Sequence, residues 1–176
     1  MRLFVAVELP APVRERLAAL AGGLHGAKWV GAEQMHLTLT FLGELDRIHA
    51  EDVAEQLGEI HAKGFEVELA GIGNFASARA IRSVWVGVTA SDALAALQAK
   101  VEHAARRAGV EPEHRKFVPH VSLARFRNGT PDLGKFLEIH EPLRLAPFAV
   151  SEFVLFSSRL GSDHAVYTAE VRYSLG

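Results

Sequence analysis

The chain has no cysteine, which excludes disulfides, thiolate metal sites and cysteine nucleophiles and makes a reducing cytoplasm the expected compartment. It also lacks any run approaching the roughly 18 apolar residues of a membrane span, so no membrane association is expected. The opening Met1–Val7 segment is too short for the core of a signal peptide and is cut off by Glu8-Leu9-Pro10, which leaves a strand as the expectation there. A large charge imbalance is missing as well. A net charge of −2 argues against a protein that coats long nucleic acid by broad phosphate neutralisation. A local anion site stays open, because Arg106-Arg107, His114-Arg115-Lys116 and Arg125 with Arg127 could concentrate positive potential in one place; taken singly, each reads as a solvated surface charge. Finally, Gly71-Ile72-Gly73 lacks the spacing and the following helix of a Rossmann or P-loop phosphate cradle, so a doubly wound nucleotide fold is not expected.

What is present is an ordinary globular composition, 49% hydrophobic and 23% charged over 176 residues, enough for one domain with a buried core. Residues 3 to 9 read as a strand, and Pro10 and Pro12 open a helix carrying Val13, Leu17, Leu20 and Leu24 up to Gly22-Gly23. Lys28-Trp29-Val30 is short and extended, and Met35 to Leu42 alternates as a strand. A helix is expected from His49 to Ala62, then neighbouring strands at Phe65–Leu69 and Ser83–Val88 joined through the glycines at 71 and 73. Ser91 caps a long helix with Leu94, Leu97, Val101 and Ala105 on one face, ended by Gly109. Val121–Phe126, Ser151–Phe156 and Ala165–Val171 complete the strands, the last two flanking a turn at Gly161-Ser162-Asp163. Several strands adjacent in sequence and interspersed with helices predict an α+β fold with mainly antiparallel pairing.

The specific signal is a repeat. His36-Leu37-Thr38-Leu39 and His120-Val121-Ser122-Leu123 share the order His, aliphatic, hydroxyl, Leu, each on a predicted strand. The strand period of two sends His36 with Thr38, and His120 with Ser122, to one face, and the aliphatic residues to the other, where each set packs into the core of its own half. The chain is therefore expected to be one domain spanning 1–176, built as two related halves with their tetrads at 36–39 and 120–123.

Two imidazoles aimed at one phosphate suit the opening of a cyclic diester by in-line attack, in which one group takes the proton of water while another protonates the departing alkoxide. With an ordinary pKa near ~6.5, one imidazole is neutral while its partner is protonated close to neutrality. The hydroxyls of Thr38 and Ser122 can donate to the non-bridging oxygens, and the single negative charge of a cyclic diester makes a metal unnecessary. Zinc is the competing use of such histidines, but it ordinarily wants a third ligand, and neither tetrad lies in an HExxH helix or beside a carboxylate at ligand spacing; Glu44 and Asp46 read as loop charges. The remaining histidines, His25, His49, His61, His103, His114, His140 and His164, read as structural or surface residues.

The tetrads, with Arg2-Leu3-Phe4-Val5-Ala6 at the start, Trp29-Val30 ahead of the first and Phe41-Leu42-Gly43-Glu44 after it, resemble the two-histidine (2H) phosphoesterases, in particular their RNA 2′,3′-cyclic phosphodiesterase branch, also called 2′-5′ RNA ligases. Gly71 to Phe75, Arg82 to Trp85, Phe117-Val118-Pro119, Leu155 to Leu160 and Tyr167 extend the resemblance over almost the whole chain. It implies a bilobal, pseudo-two-fold α+β fold with helices outside a central cleft. It further implies hydrolysis of an RNA or nucleotide 2′,3′-cyclic phosphate to a 2′-phosphate, its reversal as 2′-5′ ligation, and no cofactor or metal. His36 would be the acid and His120 the base, an order that the near identity of the tetrads leaves reversible. A non-catalytic module binding RNA ends or nucleotides is the alternative, and a monomer is expected because both halves lie in one chain. The resemblance also places Phe41 and Arg125, each five residues beyond its histidine, beside the nucleobase. Strict alternation would put both on the leucine face. Phe41 could equally be core, whereas a buried arginine is so unfavourable that the second strand is expected to bulge before Arg125 and release it.

Overall fold

The computed structural model describes residues 1–78, 80–128 and 131–176. The chain forms β1 (Arg2–Glu8), α1 (Ala11–Ala18), β2 (Lys28–Trp29), a 3-10 turn (Ala32–Gln34), β3 (His36–Glu44), α2 (Arg47–Gly58), β4 (Phe65–Val67), β5 (Leu69–Ser77), β6 (Ala80–Val88), α3 (Asp92–Arg107), β7 (His120–Arg125), α4 (Gly134–His140), β8 (Phe148–Val150), β9 (Glu152–Leu160) and β10 (Ala165–Ser174). One four-stranded sheet has the order β10-β9-β1-β3, a second the order β2-β7-β6-β5, and β4 pairs with β8. Every named pair is antiparallel, so the α+β class with antiparallel sheets is the observed one.

Leu37 and Leu39 from β3 and Val121 and Leu123 from β7 enter one continuous buried cluster that also takes Leu94, Leu97 and Val101 from α3 and Val53 and Leu57 from α2. The two leucine faces thus share a core, where a separate one for each half had been expected. The core also locks the register. A one-residue slip of β3 would bring Leu37 and Leu39 to the histidine face, and each buried leucine is worth about 1.5–3 kcal/mol. β3 and β7 lie against each other across the two sheets, which brings their first residues, His36 and His120, to adjoining strands.

Several elements differ from expectation. Helix α1 stops at Ala18, before the glycines, because Leu20 and Ala21 donate to the carbonyls of Leu17 and Ala18 in tightened i to i−3 bonds of 3.1 and 3.2 Å. Helix α2 runs from Arg47 to Gly58, two residues earlier than the reading at one end and four at the other. Asp46 is its N-cap, its carboxylate accepting the His49 N–H at 2.8 Å, so this acid is a helix cap and not a free loop charge. The glycine-bearing link after Phe65–Leu69 is itself a strand. It is β5 that pairs with β6, while β4 pairs with the distant β8. Helix α4 and strand β8 had no counterpart in the reading; at seven and three residues they are too short for periodicity to register. Among the described residues no helix is long and apolar enough to cross a membrane.

Candidate active site

The two tetrad strands repeat each other beyond the four residues that define them. From the histidine onward, β3 and β7 show the same sequence of environments: half-buried, buried, half-buried, buried, buried, exposed. The double burial at positions four and five marks a bulge in each. In β3, Ala6 faces Thr38 and Val5 faces Thr40, so Leu39 is passed over. In β7, Trp85 faces Ser122 and Val84 faces Ala124, so Leu123 is passed over. A classic bulge sets two residues of one strand against one of its partner and shifts the alternation by one. Thr40 and Ala124 therefore turn inward with the leucines, and Phe41 and Arg125 turn outward. The bulge expected before Arg125 is present, and an equivalent one precedes Phe41, which is 51% exposed and so not a core residue. Phe41 contacts Phe4 (ring centroids 6.1 Å), and Phe4 in turn contacts His36, which places all three on one face.

Each imidazole sits among aromatic rings that the sequence reading did not assign to the site. His36 has Phe156 at 4.7 Å, Tyr167 at 5.1 Å and Phe4 at 5.9 Å, all meeting it edge to face. His120 has Phe75 at 4.8 Å and Trp85 at 5.5 Å. Phe4 and Phe156 form, with Ala6 and Val154, a small buried cluster separate from the main core. The alternation in Leu3-Phe4-Val5-Ala6-Val7-Glu8 carries a signal for this: one set, Leu3, Val5 and Val7, enters the core, and the other, Phe4, Ala6 and Glu8, shares the face of His36. An uninterrupted apolar run hides it, because both faces of such a strand look buried. Trp85 lies flat over Gly73; a Cβ there would stand 2.2 Å from the indole ring. The glycine exists to admit the ring that borders His120.

Burial holds both imidazoles below the ordinary value near 6.5. For His36 this desolvation is opposed by a backbone hydrogen bond to Gln34 and by the carboxylate of Glu8, and reinforced by Arg14. For His120 it is opposed by a backbone hydrogen bond to Val118 and reinforced by the positive charge of Arg125. The Nδ1–H of His120 donates to the Val118 carbonyl at 2.7 Å, which fixes the tautomer and leaves Nε2 as the free nitrogen. Thr38 and Ser122 are half-buried on the histidine faces of their strands.

A polar cavity of about 210 Å³ opens beside His36, bordered by Glu8, Arg14, Glu33, Tyr167 and Arg172; His120 does not line it. Arg172 is held by Glu8 and by Glu152, the latter at 2.8 Å. Of the basic clusters noted in the sequence, Arg106 pairs with Glu102 and Glu111, and Arg115 with Glu113, as surface ion pairs, while the charge of Arg125 acts on a tetrad histidine. Among the described residues no group of three or more His, Asp or Glu is arranged to hold a metal ion.

Two successive segments of the chain, residues 7–85 and 86–167, match the model of a family described as LigT-like phosphoesterase. Each match contains one tetrad. The chain is 30% identical to the RNA 2′,3′-cyclic phosphodiesterase of Escherichia coli, covering 99% of this chain and 96% of that one, and 28% identical to the protein of the same name from Archaeoglobus fulgidus, covering 95% and 96%. Among solved structures, E. coli LigT in complex with 3′-AMP superposes with a TM-score of 0.82 at 30% identity, over 99% of this chain and 97% of that one. The same E. coli protein has been crystallised with NADP⁺, ATP and phosphate.

Proposed function

The chain belongs to the LigT-like phosphoesterase family, and from that premise we propose that it hydrolyses the 2′,3′-cyclic phosphate at an RNA end, or on a small nucleotide, to a 2′-phosphate. The observation that carries this reading is the duplicated strand, in which an imidazole, a hydroxyl two residues on and a bulge recur at matching positions of two antiparallel sheets. The relatives named as RNA 2′,3′-cyclic phosphodiesterases supply the substrate class, and the nucleotides and phosphate held by the E. coli protein suit a site of this chemistry.

In this reading the two halves of the chain meet on one phosphate. His120, its Nδ1–H tied to Val118, offers a neutral Nε2 to an attacking water and takes its proton. His36 protonates O3′ as the O3′–P bond breaks on the far side of phosphorus, leaving the phosphate on O2′. Attack of a 5′-hydroxyl in place of water, the same proton transfers serving, gives the 2′-5′ joined product. Thr38 and Ser122 donate to the non-bridging oxygens, where negative charge grows in the transition state. No metal is assigned a part, because the two imidazoles supply both proton transfers and a cyclic diester carries one charge. Phe41 and Arg125, released by their bulges, flank the nucleobase. The reading takes the enzyme as a monomer of two related halves in a reducing cytoplasm, since one chain carries both tetrads and no cysteine. Incubation of a short RNA bearing a 2′,3′-cyclic phosphate should yield a 2′-phosphate. Tight binding with the cyclic phosphate left intact would establish a binding module in its place.

A further inference from the structure

The two tetrad strands match down to their bulges, and the match breaks at the residue that faces each histidine across the sheet. Glu8 of β1 stands opposite His36, whereas Gly87 of β6 stands opposite His120. Directly opposed residues on one sheet face hold their Cβ atoms roughly 4.5–5.5 Å apart, so a side chain on one strand borders its partner on the next. The break has a counterpart in the packing: a Cβ at Gly87 would meet the carbonyl oxygen of Ala70 at 3.0 Å, a tight contact that disfavours a side chain there. Glu8 has the space that Gly87 lacks, and it lines the cavity beside His36.

We propose that Glu8 is the positioning residue that gives the histidine pair its direction, holding the transferable proton on His36 and leaving His120 free to act as base. The catalytic meaning of this rests on the phosphodiesterase reading above, but its physical cause is the sheet register alone. The groups around His36 support it. β1 contributes Glu8, the 3-10 turn Glu33, α1 Arg14, and β10 Tyr167 and Arg172, while Glu152 of β9 is the second carboxylate on Arg172. Among the described residues the lining thus sets two carboxylates against two guanidiniums, one of which Glu152 also neutralises. Around His120, among the described residues, the charge that acts on the ring is that of Arg125 from its own strand, and β5 and β6 contribute the uncharged Phe75 and Trp85. A carboxylate near one ring and a guanidinium near the other push the proton the same way, toward His36.

The test is the titration of the imidazole C–H signals by NMR in the substrate-free protein. In Glu8→Gln the midpoint of His36 should fall by about half a unit or more, with that of His120 moving much less. Glu8→Asp should restore most of the shift. If Glu8→Gln does not fold, Glu8→Ala, which also removes the carboxylate, takes its place with the same expected fall in the His36 midpoint. In turnover of a cyclic phosphate, the alkaline limb of kcat/KM in Glu8→Gln should move down with His36. An unmoved His36, or equal movement of both rings, would overturn the role of Glu8 even if turnover is intact. A shifted His36 without any turnover would leave that proton bias standing and overturn the phosphodiesterase reading instead.

Discussion

The Nδ1–H of His120 donates to the carbonyl of Val118, two residues earlier in the chain, and this 2.7 Å bond decides which nitrogen of the ring is available. At His36 the backbone of Gln34, again two residues earlier, favours the protonated ring. The backbone that leads into β7 therefore fixes His120, and aromatic rings close the sides of both imidazoles. Replacing either by Ala should lower kcat on a 2′,3′-cyclic phosphate by about 10²–10⁴, the usual contribution of a positioned acid or base, with little change in thermal unfolding. Full activity in either variant would remove that histidine from the mechanism.

The pH dependence follows from the burial of both rings. With the proposed roles, kcat/KM should rise with pH as His120 loses its proton and fall as His36 loses its own. Both titrate below 6.5 in the free protein, so the maximum should lie on the acid side of 6.5 and activity should decline through pH 7 to about 8. A flat profile from pH 5 to about 9 would contradict the paired roles.

Gly73 and Trp85 form the support of His120. In Gly73→Ala the new methyl collides with the indole, which must tilt away, and overpacking of this kind costs about 1–3 kcal/mol. A lower Tm, an altered tryptophan emission and a reduced kcat should appear together. Unchanged emission would show that the ring does not depend on the glycine.

Thr40 turns inward at the first bulge, and its buried hydroxyl has no hydrogen-bond partner among the described residues. The matching residue of β7 is Ala124, which carries no such group. Thr40→Val keeps the shape and removes the orphaned hydroxyl, so denaturant unfolding should show a gain of about 1 kcal/mol. A loss of stability would reveal a partner that the structure does not hold.

Phe41 and Arg125 should separate binding from stability. Phe41 is 51% exposed, so Phe41→Ala should leave the Tm nearly unchanged while raising KM about 5- to 100-fold if the ring stacks on a base. Arg125→Ala should raise KM likewise and, by removing a positive charge that disfavours the His120 imidazolium, move the acid limb of the pH profile upward. KM values equal to those of the wild type would exclude both from the substrate.

The tetrads were legible in the sequence because four residues with a fixed alternation carry both an address and a chemistry. The bulge before Arg125 was legible too, through the cost of burying a guanidinium. Phe41 was not, since a phenylalanine is at home on either face. The aromatic surround of the two rings escaped for a related reason: Phe4 and Phe156 lie in strands apolar on both faces, where composition does not tell core from site. The difference between Glu8 and Gly87 lies in no motif. It exists only once the register of β1 against β3 and of β6 against β7 is known, and it supplies the direction that the near-identical tetrads conceal. Helix α4 and the pairing of β4 with β8 depend on contacts between distant segments, which local periodicity does not record.

The most direct measurement is product analysis on a short RNA ending in a 2′,3′-cyclic phosphate, incubated with the wild-type protein and with the His36→Ala and His120→Ala variants. The expected result is a 2′-phosphate end from the wild type and an intact cyclic phosphate from both variants. A 3′-phosphate product, or turnover undiminished by loss of either histidine, would contradict a site in which those two imidazoles exchange the protons of an in-line displacement.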